Sequence, residues 1–181
     1  MSDITLKQET ANQNLGEYEV GKAGVSCLFP GIRQCFAIAG RRQSSMVCTH
    51  VSPGATPQQM SDTFAFLREI GGNWVTSWHV IGPFVDHFNT SNALWKSVQD
   101  IRGTFKSEFG ETGANHWILD ISKQRHTPVL EEGFTIKTEF GKVDVKADLD
   151  TAANKIRFYY KGDRGANLGW NRLYNKKFSR F

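Results

Sequence analysis

A chain of 181 residues, 39% hydrophobic and 22% charged, has the composition of one globular domain long enough to bury a core. It contains no apolar run near the roughly 18 residues of a membrane span, so no membrane span is expected. The net charge of +4 comes without a nucleic-acid-binding motif, so nucleic acid is not an expected partner.

The opening segment, MSDITLKQETANQNLGEYEV, is polar and lacks the apolar centre of a cleavable signal peptide. That favours a chain that is cytoplasmic as synthesised, and a leaderless route into another cell is compatible with it. Residues 1–14 show no periodicity and read as a polar N-terminal arm, leaving 15–181 as one domain. Glu17–Val20 reads as a short first strand. Cys27, Cys35 and Cys48 are an odd number of cysteines, which argues for a reducing compartment and against a disulfide framework.

Gln34–Gly40 and Ser45–Val51 alternate as two strands of a hairpin joined by the polar turn Arg41–Ser44. A helix follows. Thr56 is its N-cap, Pro57 its first residue, and Gln59 completes a capping box. Met60, Phe64, Leu67 and Gly71 share one face, and Gly71–Gly72 supplies the stop. Trp74–Ile81 reads as a strand. A second helix is expected after Asn89 or Thr90, with Leu94, Val98, Ile101 and Phe105 as its buried stripe.

Beyond it the pattern is β. His116–Ile121 and Lys155–Lys161 read as strands, and Phe134–Ala147 as a hairpin around Gly141. From Lys155 onward the chain has eight Lys and Arg against the single acid Asp163. This is either a solvated basic tail or a docking patch for an acidic partner protein. The layout predicts an α/β (α+β) sandwich: mixed, largely antiparallel sheets with about two packed helices.

The hairpin carries the chemistry-bearing residues. Centred between Arg42 and Gln43, it pairs residues whose numbers sum to 85, which sets Cys35 opposite His50. Directly opposed residues have Cβ atoms about 4.5–5.5 Å apart, close enough for a thiol–imidazole contact. Phe36, Ile38, Val47, Thr49 and Val51 form one bulky face. Cys35, Ala37, Ala39, Met46, Cys48 and His50 form the other. An imidazole beside a thiol can hold it as thiolate for attack on an acyl carbon, then protonate the leaving group. Backbone N–H groups in the loop that Gly31 introduces would receive the oxyanion, with Arg33 adding positive potential.

Two other readings fit the same residues. Cysteine is among the most buried residue types, so Cys35 and His50 could be core residues. Cys27, Cys35, Cys48 and His50 could also be zinc ligands, although they lack the C-x₂₋₄-C knuckle of most structural sites. No partner spacing singles out His79, His87, His116 or His126.

The order LGEYEVGKAGV, QCFAIAG, MVCTHVSPG, a helix ending LREIGG, then a strand and IGPF resembles the chemoreceptor glutamine deamidase CheD. The same Cys–His arrangement occurs in toxin deamidases of the cytotoxic necrotizing factor group. The resemblance covers about Leu15 to Phe84. It implies a deamidase-like fold, with Cys35 as nucleophile and His50 as general base and acid. The implied reaction converts a protein glutamine to glutamate through a thioester, releasing ammonia, with no cofactor and no metal.

The family's Gly-Ser before the nucleophile is Arg33–Gln34 here, and Phe29 stands where CheD has a catalytic threonine. Ser26 and Thr49 are the available hydroxyl substitutes, and a backbone carbonyl can orient the histidine in the toxins. Together with Gly31, these are the supporting candidates. The chain extends past a minimal deamidase core, which fits a bacterial effector or toxin, with a protein substrate and a neutralising or immunity partner. A thiol protease, a transglutaminase or a non-catalytic protein-interaction domain are the rival readings.

Overall fold

The computed structural model describes residues 3–110, 115–122, 126–130, 136–140, 142–162, 169–173 and 178–180. The fold is mixed α+β. Its strands are β1 (Thr5–Leu6), β2 (Thr10–Asn14), β3 (Glu19–Ile32), β4 (Phe36–Arg41), β5 (Met46–Val51), β6 (Ser77–Gly82) and β7 (Asn115–Asp120), followed by β8 (His126–Leu130), β9 (Ile136–Phe140), β10 (Val143–Asp150), β11 (Lys155–Gly162), β12 (Asn171–Leu173) and β13 (Phe178–Arg180). Among the described residues eleven of these form one sheet in the order β12-β11-β10-β3-β5-β4-β6-β7-β13, with β1 and β2 added on β3. β8 and β9 pair separately.

β3 is the spine. Its first half pairs with β5 and its second with β10, so two wings of the sheet meet on one long strand. Pro30 lies where the β3–β10 register shifts, a position at which the ladder does not need its missing N–H. Two cores result. One lies between the wings and takes Phe29, Ala37, Ala39, Cys27, Cys48, Val145 and Phe158. The other lies between the opposite face and the helices α1 (Pro57–Glu69) and α3 (Val98–Phe109). There Phe64 meets Phe105 edge-on at 5.6 Å and Trp78 stacks on Phe109 at 4.7 Å.

The α1 signals act as the sequence specifies. Thr56 Oγ1 accepts from the Gln59 N–H, Gln59 returns a bond to the Thr56 N–H, and Gly71 is left-handed at φ 102°. Several other expectations change. Residues 1–14 are not a loose arm where they are described, because β1 and β2 run parallel to β3. An added parallel strand is held by backbone bonds and buries only Gln13, so it needs no apolar pattern.

The expected Trp74–Ile81 strand begins at Ser77, after a 3₁₀ turn over Gly72–Trp74 that leaves Trp74 exposed. The second helix begins only at Val98, because Ser97 caps it by accepting from the Asp100 N–H. A short extra helix, α2 (Phe84–Phe88), precedes it, giving three helices among the described residues rather than two.

The Phe134–Ala147 hairpin does not form, and Gly141 lies outside the described residues. β9 pairs with β8, while β10 pairs along its whole length with β11 across the turn Thr151–Asn154. Alternation identifies a strand but not its partner. The turn after β10, in which Ala153 N–H donates to Asp150, sets the pairing instead.

Gly82 ends β6 against the ring of Phe36, which a Cβ at residue 82 would strike, with the Cys35 carbonyl 3.2 Å away. Gly82→Ala should therefore lower stability by roughly 1–3 kcal/mol, measured by urea unfolding. An unchanged midpoint would mean that Phe36 moves aside freely.

Candidate active site

The β4–β5 hairpin turns one residue later than the sequence suggests. Arg42 N–H donates to Ser45 O at 2.8 Å, so Gln43 and Ser44 form the tip and paired residues sum to 87. His50 consequently faces Ala37 rather than Cys35. The slip moves each partner by two positions, so the two faces keep their expected residues. Cys35 lies just before β4, on the same face as Ala37 and diagonal to His50. Diagonal neighbours stand about 7–8 Å apart, which places the pair in one neighbourhood but not in direct register.

Cys35 is 4% exposed and His50 2%. His50 Nδ1 lies 3.0 Å from the Leu15 carbonyl. A carbonyl only accepts, so Nδ1 carries the proton and Nε2 presents a bare lone pair. That Nε2 is buried and has no hydrogen-bond partner. Burial lowers the His50 pKa, against the Leu15 bond and the charges of Glu17 and Glu19, so the ring is a neutral base near pH 7.

The Leu15 carbonyl is held in place by the segment that follows it. Gly16 N–H donates to Glu19 at 2.6 Å, Tyr18 adopts φ 65°, and Tyr18 N–H donates to His50 O at 3.0 Å. The LGEY stretch is thus a turn that presents an acceptor to His50, rather than the start of a strand.

Cys35 opens onto a cavity of about 430 Å³ that also includes Glu17, Gly31, Arg33, Gln34 and Lys142. Ser52 and Pro53, which follow β5, complete its lining. A second cavity of about 710 Å³ shares Arg33, Gln34 and Pro53 with it and extends to Pro83, His87 and Asn92. Gly31 has φ 66°, and its N–H donates to Asp144 at 2.7 Å, which ties the loop before Cys35 to β10. Gly31→Val should cost about 1–2 kcal/mol in thermal or denaturant unfolding, because a side chain strains the left-handed region. No loss would show that the loop relaxes without strain.

Behind Cys35, Phe36 is boxed by Phe84 at 5.1 Å, His87 at 4.6 Å and Trp95 at 5.0 Å. His87 Nε2 accepts from the Trp95 N–H, a structural role.

Burial pushes the Cys35 thiol up to about 12, with a Glu17 hydrogen bond and the Glu17 charge adding to it, while a backbone hydrogen bond with Gln34 opposes them. Cys35 is therefore a thiol at rest, not the imidazole-held thiolate that the sequence suggests. Gly31, Arg33, Gln34 and Cys35 share one cavity, and His50 lies on the same face. The other hydroxyl candidates are engaged elsewhere: Ser26 donates to Asn12 and Thr49 to the Glu19 carbonyl. Phe29 meets the His50 ring edge-on at 6.4 Å.

Among the described residues no three His, Cys, Asp or Glu gather as metal ligands. Cys27 and Cys48 are buried, and burial together with their mutual contact raises the Cys27 thiol. Sequence reasoning missed Leu15, Glu17 and Lys142. Leu15 and Glu17 left a trace, inside LGEY, and Lys142 left none. No helix among the described residues is long and apolar enough to cross a membrane.

No protein-family model matches this chain, and no curated protein does.

Proposed function

We propose that the chain is a cysteine-dependent protein glutamine deamidase with a CheD-like or cytotoxic-necrotizing-factor-like core. The observation that carries this reading is the bare, buried Nε2 of His50, fixed by the Leu15 carbonyl on the face that Cys35 shares. In the reaction, Nε2 takes the Cys35 proton as sulfur attacks the glutamine Cδ. The tetrahedral intermediate collapses to a thioester while the imidazolium gives its proton to the departing nitrogen, releasing ammonia. His50 next takes a proton from water, and the resulting hydroxide attacks the thioester. Collapse of that second intermediate yields glutamate and restores the thiol. Backbone N–H groups of the loop next to Cys35, around Gln34, are the oxyanion donors in this scheme, since the Gly31 N–H is taken by Asp144.

The substrate is a glutamine on a partner protein, and the chain acts as a bacterial effector or toxin held in check by a neutralising partner. A peptide carrying a diazoketone analogue of glutamine tests the reading. It should label Cys35 and leave Cys27 and Cys48 untouched. Failure to label Cys35 overturns it.

A non-catalytic interaction domain is the second reading, favoured by the near-complete burial of Cys35 and its raised thiol. Under it, neither Cys35 nor His50 would be needed beyond packing.

A further inference from the structure

The Cys35 cavity contains a carboxylate that the reaction above does not use. Glu17 is exposed and lines the same cavity as Cys35, and its carboxylate helps to raise the Cys35 thiol. His50 Nε2, the atom that should receive the thiol proton, is at the same time left without a partner. Gly16 and Tyr18 on either side of Glu17 are anchored through Glu19 and the His50 carbonyl. The backbone is fixed while the side chain itself is exposed.

We infer that Glu17 is a positioning and specificity residue that reads the side-chain amide of the substrate beside Cys35. A carboxylate only accepts hydrogen bonds. An entering carboxamide brings an –NH₂ that donates to Glu17, which holds the amide carbon against the Cys35 sulfur. The product glutamate offers no such donor and carries a like charge, so Glu17 repels it and favours release. Glu17 thereby distinguishes amide from acid at the reacting carbon. The charged and amide groups that share the cavity with Cys35 are Glu17 from the turn before β3, Arg33 and Gln34 from the loop before β4, and Lys142 next to β10, while His50 on β5 pairs with Ala37, two residues on. Arg33 and Lys142 alone would favour an anion, so an amide preference must come from Glu17.

This inference rests on the deamidase reading for its substrate, but its test does not need that substrate. Iodoacetamide and iodoacetate differ only in amide against carboxylate, and peptide mapping reads alkylation at Cys35. In the full chain at fixed pH, Glu17→Gln should raise the iodoacetamide rate roughly fivefold, because a negative neighbour no longer opposes the thiolate. The iodoacetamide-to-iodoacetate ratio should fall by a similar factor, a change that a merely structural role would not produce. Glu17→Ala should do the same, and the exposed side chain makes both variants compatible with folding.

An unchanged ratio in both variants overturns the role of Glu17 even if the diazoketone labels Cys35. A shifted ratio without diazoketone labelling overturns the deamidase reading instead.

Discussion

Cys35→Ser is expected to abolish glutamine deamidation, lowering the rate about a thousandfold or more, while the chain still folds. The sulfur is the only protein atom in the scheme that bonds to the substrate carbon. A serine hydroxyl is a far weaker nucleophile at neutral pH, and the neutral His50 beside it cannot make up that difference. Stability should change by about 1 kcal/mol or less, because Cys35 precedes β4 and contributes a small side chain rather than a ladder position. Mass mapping of glutamine-to-glutamate conversion, alongside urea unfolding, separates the two effects. Full conversion by the serine variant would remove Cys35 from the mechanism.

Loss of the base has the second largest effect. His50→Gln should reduce turnover by about 10²–10⁴-fold, the range for a positioned general base. The pH profile gives a sharper result. Burial depresses the His50 pKa, so the ring stays in its base form below the ordinary 6.5. Activity should rise with pH through a midpoint below 6.5 and then hold level, because the thiol ionises only near 12.

Stability follows the same sign. The unfolded histidine takes up a proton near pH 6.5 and the folded one only at lower pH. The contribution is therefore complete above about 6.5 and is lost as pH falls toward the folded value. An activity midpoint above pH 7, or a bell centred on neutrality, would mean that a thiolate–imidazolium pair does the work instead.

The sequence made some of this legible and concealed the rest for physical reasons. Thr56, Pro57 and Gln59 announced α1 because capping is local chemistry. The two faces of the β4–β5 hairpin were readable because side chains alternate with a fixed period. The register was not, because Arg42 and Ser45 close the turn one residue later than symmetry about Arg42–Gln43 suggests. β1 and β2 were hidden in a polar segment because pairing on β3 draws on backbone groups that composition does not report.

The role of Leu15 was invisible for the same reason. It serves the site through its carbonyl, and every residue has one. Glu17 was quoted as part of LGEY, yet its place in the Cys35 cavity depends on the left-handed Tyr18 next to it. Cys35 and His50 stood out in the sequence because thiol and imidazole are rare and reactive. Their protonation states did not, because those follow from burial and from Glu17.

The most direct measurement of the central claim is peptide mapping of bacterial and eukaryotic lysates treated with the wild-type chain, Cys35→Ser and His50→Gln. The account predicts discrete glutamine-to-glutamate conversions with the wild type, none with Cys35→Ser and strongly reduced conversion with His50→Gln. Identical maps for all three proteins would contradict it and leave the hairpin as a packing element of an interaction domain.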